Sequence, residues 1–454
     1  MRQAIASMSG FRCVPEFPID APFFRRVGRN IASRCAQPVA IGWDTRVTSN
    51  DVVKSISAGL SEAGARYTHL GLATSPLVSF GAKGGFYRTG VMITSSHNPP
   101  EWNGIKVFGQ DGTILDEPNL KELIEGGSGA SASPVGPEEP RGCREVLEAY
   151  MDSILKTVLD LGGSADGLHV VLDAGNGPAV VTVPRCLERL GAQVTLINDE
   201  LDGLFRRQIE PRPEALSVLS ETVADKGADV GVAFDSDGDR AVLVDEKGRV
   251  LDEDLTLALA CDLLLERLKC PVVVNVATSM LLDFVCEKHG VKLFRSAVGE
   301  RNVVEEMRRV GSTIGGEGSC GGLIYLGHSP TRDGCLSAGL VASILRRSGD
   351  SISSLVSAYP NLKRGRASVE VAPGLAGRVM EEVELIAHGP EPMKLDGLRF
   401  SGAGWWVLVR PSRTEPIIRV MAEGTDERQV RELVEDYTSV VRQACGRLGR
   451  EVRR

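Results

Sequence analysis

The stretch Gly90-Val91-Met92-Ile93-Thr94-Ser95-Ser96-His97-Asn98-Pro99-Pro100 runs from an apolar segment into a polar turn that two prolines keep from becoming helix. The apolar part reads as a buried strand, so the hydroxyls emerge at a strand end, where α/β sheets hold their chemistry. Ser96 beside His97 is therefore a candidate nucleophile next to a proton acceptor. Alone, a Ser-His pair in a proline turn describes an ordinary loop equally well. The weight comes from other segments.

Gly231-Val232-Ala233-Phe234 and Ala241-Val242-Leu243-Val244 read as strands, and between them stands Asp235-Ser236-Asp237-Gly238-Asp239-Arg240. Carboxylates alternating this densely repel one another unless a cation sits among them, and a hard divalent ion with oxygen ligands is the usual partner. A calcium EF-hand loop would share the positions of Asp235, Asp237, Asp239 and Glu246. It fails where its glycine is needed, because Arg240 stands there, and strands replace its helices. Mg²⁺ in a phosphoryl-transfer site fits better. Near the C-terminus, Arg410-Pro411-Ser412-Arg413-Thr414-Glu415-Pro416 follows the apolar strand Trp405-Trp406-Val407-Leu408-Val409, and its guanidinium and hydroxyl groups suit a phosphate. Gly315-Gly316-Glu317-Gly318-Ser319-Cys320-Gly321-Gly322 brings a carboxylate and a hydroxyl together on a turn suited to sugar hydroxyls.

With these four segments in this order, the chain resembles the α-D-phosphohexomutases, the superfamily of phosphoglucomutase, phosphomannomutase and phosphoglucosamine mutase. The resemblance runs nearly end to end. It includes Ser9-Gly10-Phe11-Arg12, Asp44-Thr45-Arg46, Trp102-Asn103-Gly104-Ile105-Lys106 and Asp173-Ala174-Gly175-Asn176-Gly177. It implies an α/β protein of three related mixed α/β domains, over residues 1–147, 148–250 and 251–365, and a C-terminal α+β domain over 366–454, around a central cleft.

The resemblance also implies roles. Ser96 corresponds to the serine phosphorylated in the active enzyme, and Asp235, Asp237 and Asp239 to the Mg²⁺ ligands, with an oxygen on Ser96 completing the shell. Arg12, His97 and Lys106 correspond to basic residues around the phosphoserine, with either His97 or Lys106 as general acid or base. Arg240 neutralises charge near the metal. Glu317 and Ser319 read the sugar, while Arg410, Ser412, Arg413 and Thr414 grip the phosphate not being transferred. The implied activity is that of a phosphohexomutase, an isomerase-class phosphotransferase interconverting hexose 6-phosphate and hexose 1-phosphate through a bisphosphate.

Departures sharpen this. Gly316-Glu317-Gly318-Ser319-Cys320-Gly321 lacks the histidine that many relatives carry in this loop, Cys13 follows Arg12 where glycine is usual, and Arg413 adds charge to the phosphate loop. Together with Val298-Gly299-Glu300-Arg301, this form looks like the archaeal-type phosphoglucosamine mutases, which ranks glucosamine phosphate slightly ahead of glucose and mannose phosphates. A non-catalytic sugar-phosphate binder on the same scaffold is the alternative. Such a protein would lose Ser96 or a metal carboxylate first, and all are present.

Composition agrees. With 454 residues, 42% hydrophobic and 25% charged, the chain has room for three or four domains. A net charge of −8 without a basic stripe argues against a nucleic-acid partner and requires the positive charge for an anionic substrate to be concentrated locally. Ten scattered cysteines without a Cys-x-x-Cys pair suit reduced thiols in the cytoplasm. There is no leader pattern and no apolar run near the roughly twenty residues of a membrane span. A monomer or homodimer handling a hexose phosphate and a hexose bisphosphate intermediate or activator is expected.

Among local elements, Ala40–Trp43, His169–Asp173 and Pro271–Val276 read as strands, and Val52–Gly64 and Val180–Leu190 as helices. Residues 126–140, GGSGASASPVGPEEP, read as a mobile surface insertion. A long final helix is predicted from a Thr425 cap, with Val430, Leu433, Val434, Tyr437, Val440, Val441 and Ala444 as its core stripe.

Overall fold

The computed structural model describes residues 2–126, 143–318, 322–412 and 415–451. All of the predicted insertion except Gly126 therefore lies outside the described residues. The unbroken apolar runs become strands buried on both faces, as their lack of alternation requires. Thr89–Ile93 lies inside a six-stranded sheet ordered Arg2–Ser7, Gly10–Val14, Asn103–Phe108, Thr89–Ile93, Val39–Trp43, Tyr67–Leu72. It runs parallel to Val39–Trp43 and antiparallel to Asn103–Phe108, and the latter register sets Lys106 opposite Met92, close to where the serine turn begins.

The second sheet is ordered Ala241–Asp245, Val230–Phe234, His169–Asp173, Gln193–Ile197. Phe234 pairs with Ala241 in an antiparallel hairpin, so the acidic segment is the tip joining two adjacent buried strands. The third sheet is ordered Leu293–Ser296, Val272–Asn275, Ile314–Glu317, Gly322–Tyr325, Ser329–Arg332, and again mixes parallel and antiparallel pairs. The fourth, ordered Lys363–Glu370, Ile417–Gly424, Trp405–Pro411, Leu398–Gly402, is antiparallel throughout. Residues of the helices Ala376–Ile386 and Glu427–Glu451 join its core.

One apolar cluster threads the first three sheets, through Met92, Leu172, Phe234, Leu243 and Val274. They share an interior. The fourth sheet has its own core, and a small seam of Val276, Trp406 and Leu408 joins it to the third.

Two local expectations need correction. The helix expected from Val52 spans Ser49–Glu62, because Ser49 already hydrogen-bonds to the Arg46 carbonyl and Gly64, at φ +67°, lies beyond its end in a left-handed turn. The final helix is capped by Asp426, not Thr425: Asp426 Oδ1 accepts from the amides of Arg428 and Gln429 at 2.7 and 3.1 Å. Its apolar stripe packs as the periodicity predicts. Among the described residues, no helix is long and apolar enough to cross a membrane.

Candidate active site

Ser96 is fully buried and sits at φ +49°, a left-handed backbone uncommon for a residue with a side chain and costly unless its surroundings impose it. Arg46 imposes it. Its guanidinium donates to the carbonyls of Ser96, Asn98, Pro99 and Trp102 at 2.6, 2.8, 2.6 and 2.9 Å, and pairs with Asp44 Oδ2 at 3.0 Å. Asp44 Oδ2 also accepts from Thr94 Oγ1 at 2.7 Å, and Thr94 Oγ1 in turn accepts the Ser96 amide at 2.9 Å. The proline turn is thus pinned from behind by a buried ion pair.

The hydroxyl of Ser96 points the other way. Ser96 Oγ donates to Asp235 Oδ2 at 2.9 Å and lies 3.4 Å from His97 Nδ1. Two domains clamp the acidic hairpin tip: the Ser75 amide bonds the Asp237 carbonyl at 2.9 Å from one side, and the Gly334 amide bonds the Gly238 carbonyl at 3.2 Å from the other. Gly238 has φ +69°, and a Cβ there would come within 2.8 Å of Thr74 Cγ2, so the tip requires glycine.

Asp235, Asp237 and Asp239 each offer an oxygen within 4.8 Å of the others, and all are buried. Lys106 Nζ holds the Oδ2 atoms of Asp237 and Asp239 at 2.5 and 2.9 Å. The Oδ1 atoms of the same two residues are buried and accept no hydrogen bond among the described residues. Buried acceptors left open in this way fit a cation. Burial, then repulsion from Asp239 and Asp237, raises the Asp235 pKa well above the carboxylate range, a penalty that a bound cation relieves. Asp239 goes the other way. Burial would raise it, but Arg332, Lys106 and Arg240 outweigh this and hold it low.

The surrounding charges differ in kind. Burial lowers Lys106, yet Asp237 and Asp239 prevail and raise it to about 12, so it stays an ammonium. Burial, then Arg240 and Arg12, pushes His97 well below 6.5, so it is neutral. Arg12, lowered to about 10 by burial, remains charged and donates to Asn98 Oδ1 at 2.5 Å. Arg240 donates to Glu210 Oε1 at 2.9 Å, and its Nε lies 3.8 Å from both Asp235 and Asp239.

Ser96, His97, Lys106, Arg12, Arg240 and the three aspartates therefore converge. Glu317 sits further along: its Oε1 accepts from Asn275 Nδ2 and the Gly299 amide at 3.0 and 2.7 Å, and its Oε2 lies 3.8 Å from Arg332. Arg410 Nε is 3.1 Å from Asp396 Oδ2, which also accepts the Val298 amide, and so lies at the join of the third and fourth domains. Ser412 closes the same strand, its amide bonded to the Ile417 carbonyl at 2.9 Å. Ser319, Arg413 and Thr414 lie outside the described residues. Sequence reading gave no task to Arg46, Ser75 or Arg332. Of these only Arg46 carried a signal, as part of Asp44-Thr45-Arg46.

A buried serine beside three carboxylates that can hold a cation, set among arginines on a four-domain α/β scaffold, defines a phosphotransferase. The family descriptions "Phosphoglucomutase/phosphomannomutase, alpha/beta/alpha" domains I, II and III match residues 5–128, 148–248 and 252–362, and the C-terminal domain matches 366–439. A probable phosphoglucosamine mutase of Methanopyrus kandleri is 36% identical over 411 residues, covering 89% of this chain and 90% of that protein. One from Pyrococcus abyssi is 34% identical over 417 residues with the same coverage. A phosphoglucomutase/phosphomannomutase family protein of Burkholderia thailandensis superposes with a TM-score of 0.83 at 23% identity, over 97% of this chain and 98% of that one. An N-acetylphosphoglucosamine mutase of Aspergillus fumigatus, solved in complex with GlcNAc-6P and magnesium, has a TM-score of 0.61 at 15% identity, over 97% of this chain and 96% of that one. The chain belongs to the phosphoglucomutase/phosphomannomutase family and is a phosphohexomutase, an intramolecular phosphotransferase of the isomerase class.

Proposed function

We propose that the chain interconverts glucosamine 6-phosphate and glucosamine 1-phosphate, with glucose and mannose phosphates as slower substrates, through phosphorylated Ser96 and a sugar bisphosphate. The observation that carries the reading is the contact of Ser96 Oγ with Asp235 beside two carboxylates with open oxygens. Support for glucosamine comes from the naming of relatives at 31–36% identity over about nine-tenths of the chain.

Asp235, Asp237, Asp239 and the oxygen on Ser96 would hold the metal, and Mg²⁺ is the ion present with the Aspergillus relative. Bound there, it supplies neutralisation of the charge on the transferring phosphoryl group. The chain's own residues do the rest. The phosphorus–Oγ bond of phosphoserine 96 breaks as the free sugar hydroxyl bonds to phosphorus, and neutral His97, beside Oγ, accepts the hydroxyl proton and passes it to the departing Oγ, which becomes the serine hydroxyl. Arg12 and Arg240 balance the phosphoryl charge from the rim. Lys106, already an ammonium, is the weaker candidate for a base and serves to aim the aspartates. The bisphosphate then turns over, and Ser96 takes back the phosphoryl group from the other position. Glu317 and Ser319 read the sugar in both poses, while Arg410, Ser412, Arg413 and Thr414 hold the idle phosphate. The described cysteines are free thiols, in keeping with a cytoplasmic enzyme.

Initial rates on glucosamine, glucose and mannose 1-phosphates side by side test the assignment. The largest kcat/KM is expected for glucosamine 1-phosphate. A clear preference for mannose or glucose overturns the specificity, and no turnover of any of them leaves a binder.

A further inference from the structure

Arg332 has no task in this scheme, yet it is buried and bonded to carboxylates of the site. It ends the strand Ser329–Arg332, and its stem crosses the neighbouring strand at Gly322, where a Cβ would come within 2.4 Å of Arg332 Cδ. Only glycine leaves that room. At its head, Nη2 donates to Asp239 Oδ2 at 2.8 Å, Nε donates to Glu300 Oε2 at 3.2 Å, and Nη1 lies 3.8 Å from Glu317 Oε2. Glu300 is committed elsewhere as well, accepting from Thr331 Oγ1 at 2.7 Å and from the Arg332 amide at 3.0 Å. It anchors the guanidinium, whose two outer nitrogens divide between a carboxylate of the acidic triad and the carboxylate of the sugar-facing loop.

We infer that Arg332 is a positioning residue that couples the cation site to the sugar-facing loop, because Asp239 and Glu317 draw on the same guanidinium from opposite sides. This rests on reading the triad as a cation site and Glu317 as a sugar ligand. Buried charges at this range are poorly screened, so what Glu317 gives up Asp239 receives. A sugar hydroxyl donating to Glu317 would shift Arg332 toward Asp239 and weaken the triad's hold on its cation. By reciprocity, an occupied triad would return Arg332 to Glu317.

The test is Mn²⁺ titration of the metal-free, full-length protein, with free ion read by electron paramagnetic resonance, in wild type, Glu317→Gln, Arg332→Met and the double variant. Glu317→Gln leaves Arg332 to Asp239 and the Glu300 anchor and is expected to weaken Mn²⁺ binding about fivefold. In the Arg332→Met background the same change is expected to move affinity by less than about twofold. Should Arg332→Met fail to fold, Arg332→Lys is the second background, since one ammonium cannot serve both carboxylates and the Glu317→Gln effect should shrink there too. An equal effect with and without Arg332, or none in wild type, overturns the coupling alone. No Mn²⁺ binding by wild type overturns the cation-site reading with it.

Discussion

Ser96 Oγ donates to Asp235 Oδ2 at 2.9 Å although 139 positions separate the two residues. Neither side of this contact can drift easily. The serine turn hangs on Arg46 and Asp44, the acidic tip is held between Ser75 and Gly334, and both grow from strands that share one apolar interior.

Replacing Ser96 by Ala should lower kcat by at least about 10⁴-fold, the scale expected when a covalent nucleophile is lost. Stability should fall by only about 1–2 kcal/mol, since one hydroxyl-to-carboxylate hydrogen bond goes. A coupled rate assay beside a denaturation curve checks both, and near-wild-type turnover rules out this nucleophile.

Asp237→Asn removes one ligand charge and one of the two carboxylates that Lys106 holds. The metal concentration for half-maximal activity should rise at least about tenfold, the scale of changes at a metal's ligands and their supports. An unchanged metal titration counts against the triad.

Arg46 and Asp44 are buried with no side-chain exposure. Arg46→Met leaves Asp44 without its counter-charge and should cost about 3–5 kcal/mol in urea unfolding. Asp44→Asn added to it should recover part of the loss. If the single variant is as stable as wild type, the pinning of the serine turn is not what the contacts indicate.

His97 is held well below 6.5 by burial first, then by the Arg240 and Arg12 charges. A base that acts in its neutral form keeps acting until pH falls through its own pKa. In the unphosphorylated, metal-free protein the His97 imidazole should therefore titrate well below 6.5 in an NMR titration. His97→Gln should lower kcat about 10²-fold. An imidazole signal titrating near 6.5 that disappears in this variant contradicts the placement of His97.

The strands and the acidic tip were legible because Gly90–Ile93, Val230–Phe234 and Ala241–Val244 are apolar without interruption and bounded by polar or turn residues. Arg332 was not, because nothing near it in sequence marks a buried arginine: its partners Asp239, Glu300 and Glu317 come from a hairpin tip, a helix and another strand. The choice between His97 and Lys106 was equally out of reach. It turns on which neighbours each keeps, and Lys106 meets two aspartates more than a hundred residues away. Helix ends slipped where a side chain decided them, as Asp426 did by accepting two amides ahead of Thr425.

The central claim is that Ser96 carries the phosphoryl group. Peptide mass spectrometry after incubation with Mg²⁺ and glucose 1,6-bisphosphate tests it most directly. One phosphate localised to Ser96 in the wild type and none in Ser96→Ala is the predicted result; a Ser96 that stays unmodified while the enzyme turns over would contradict it.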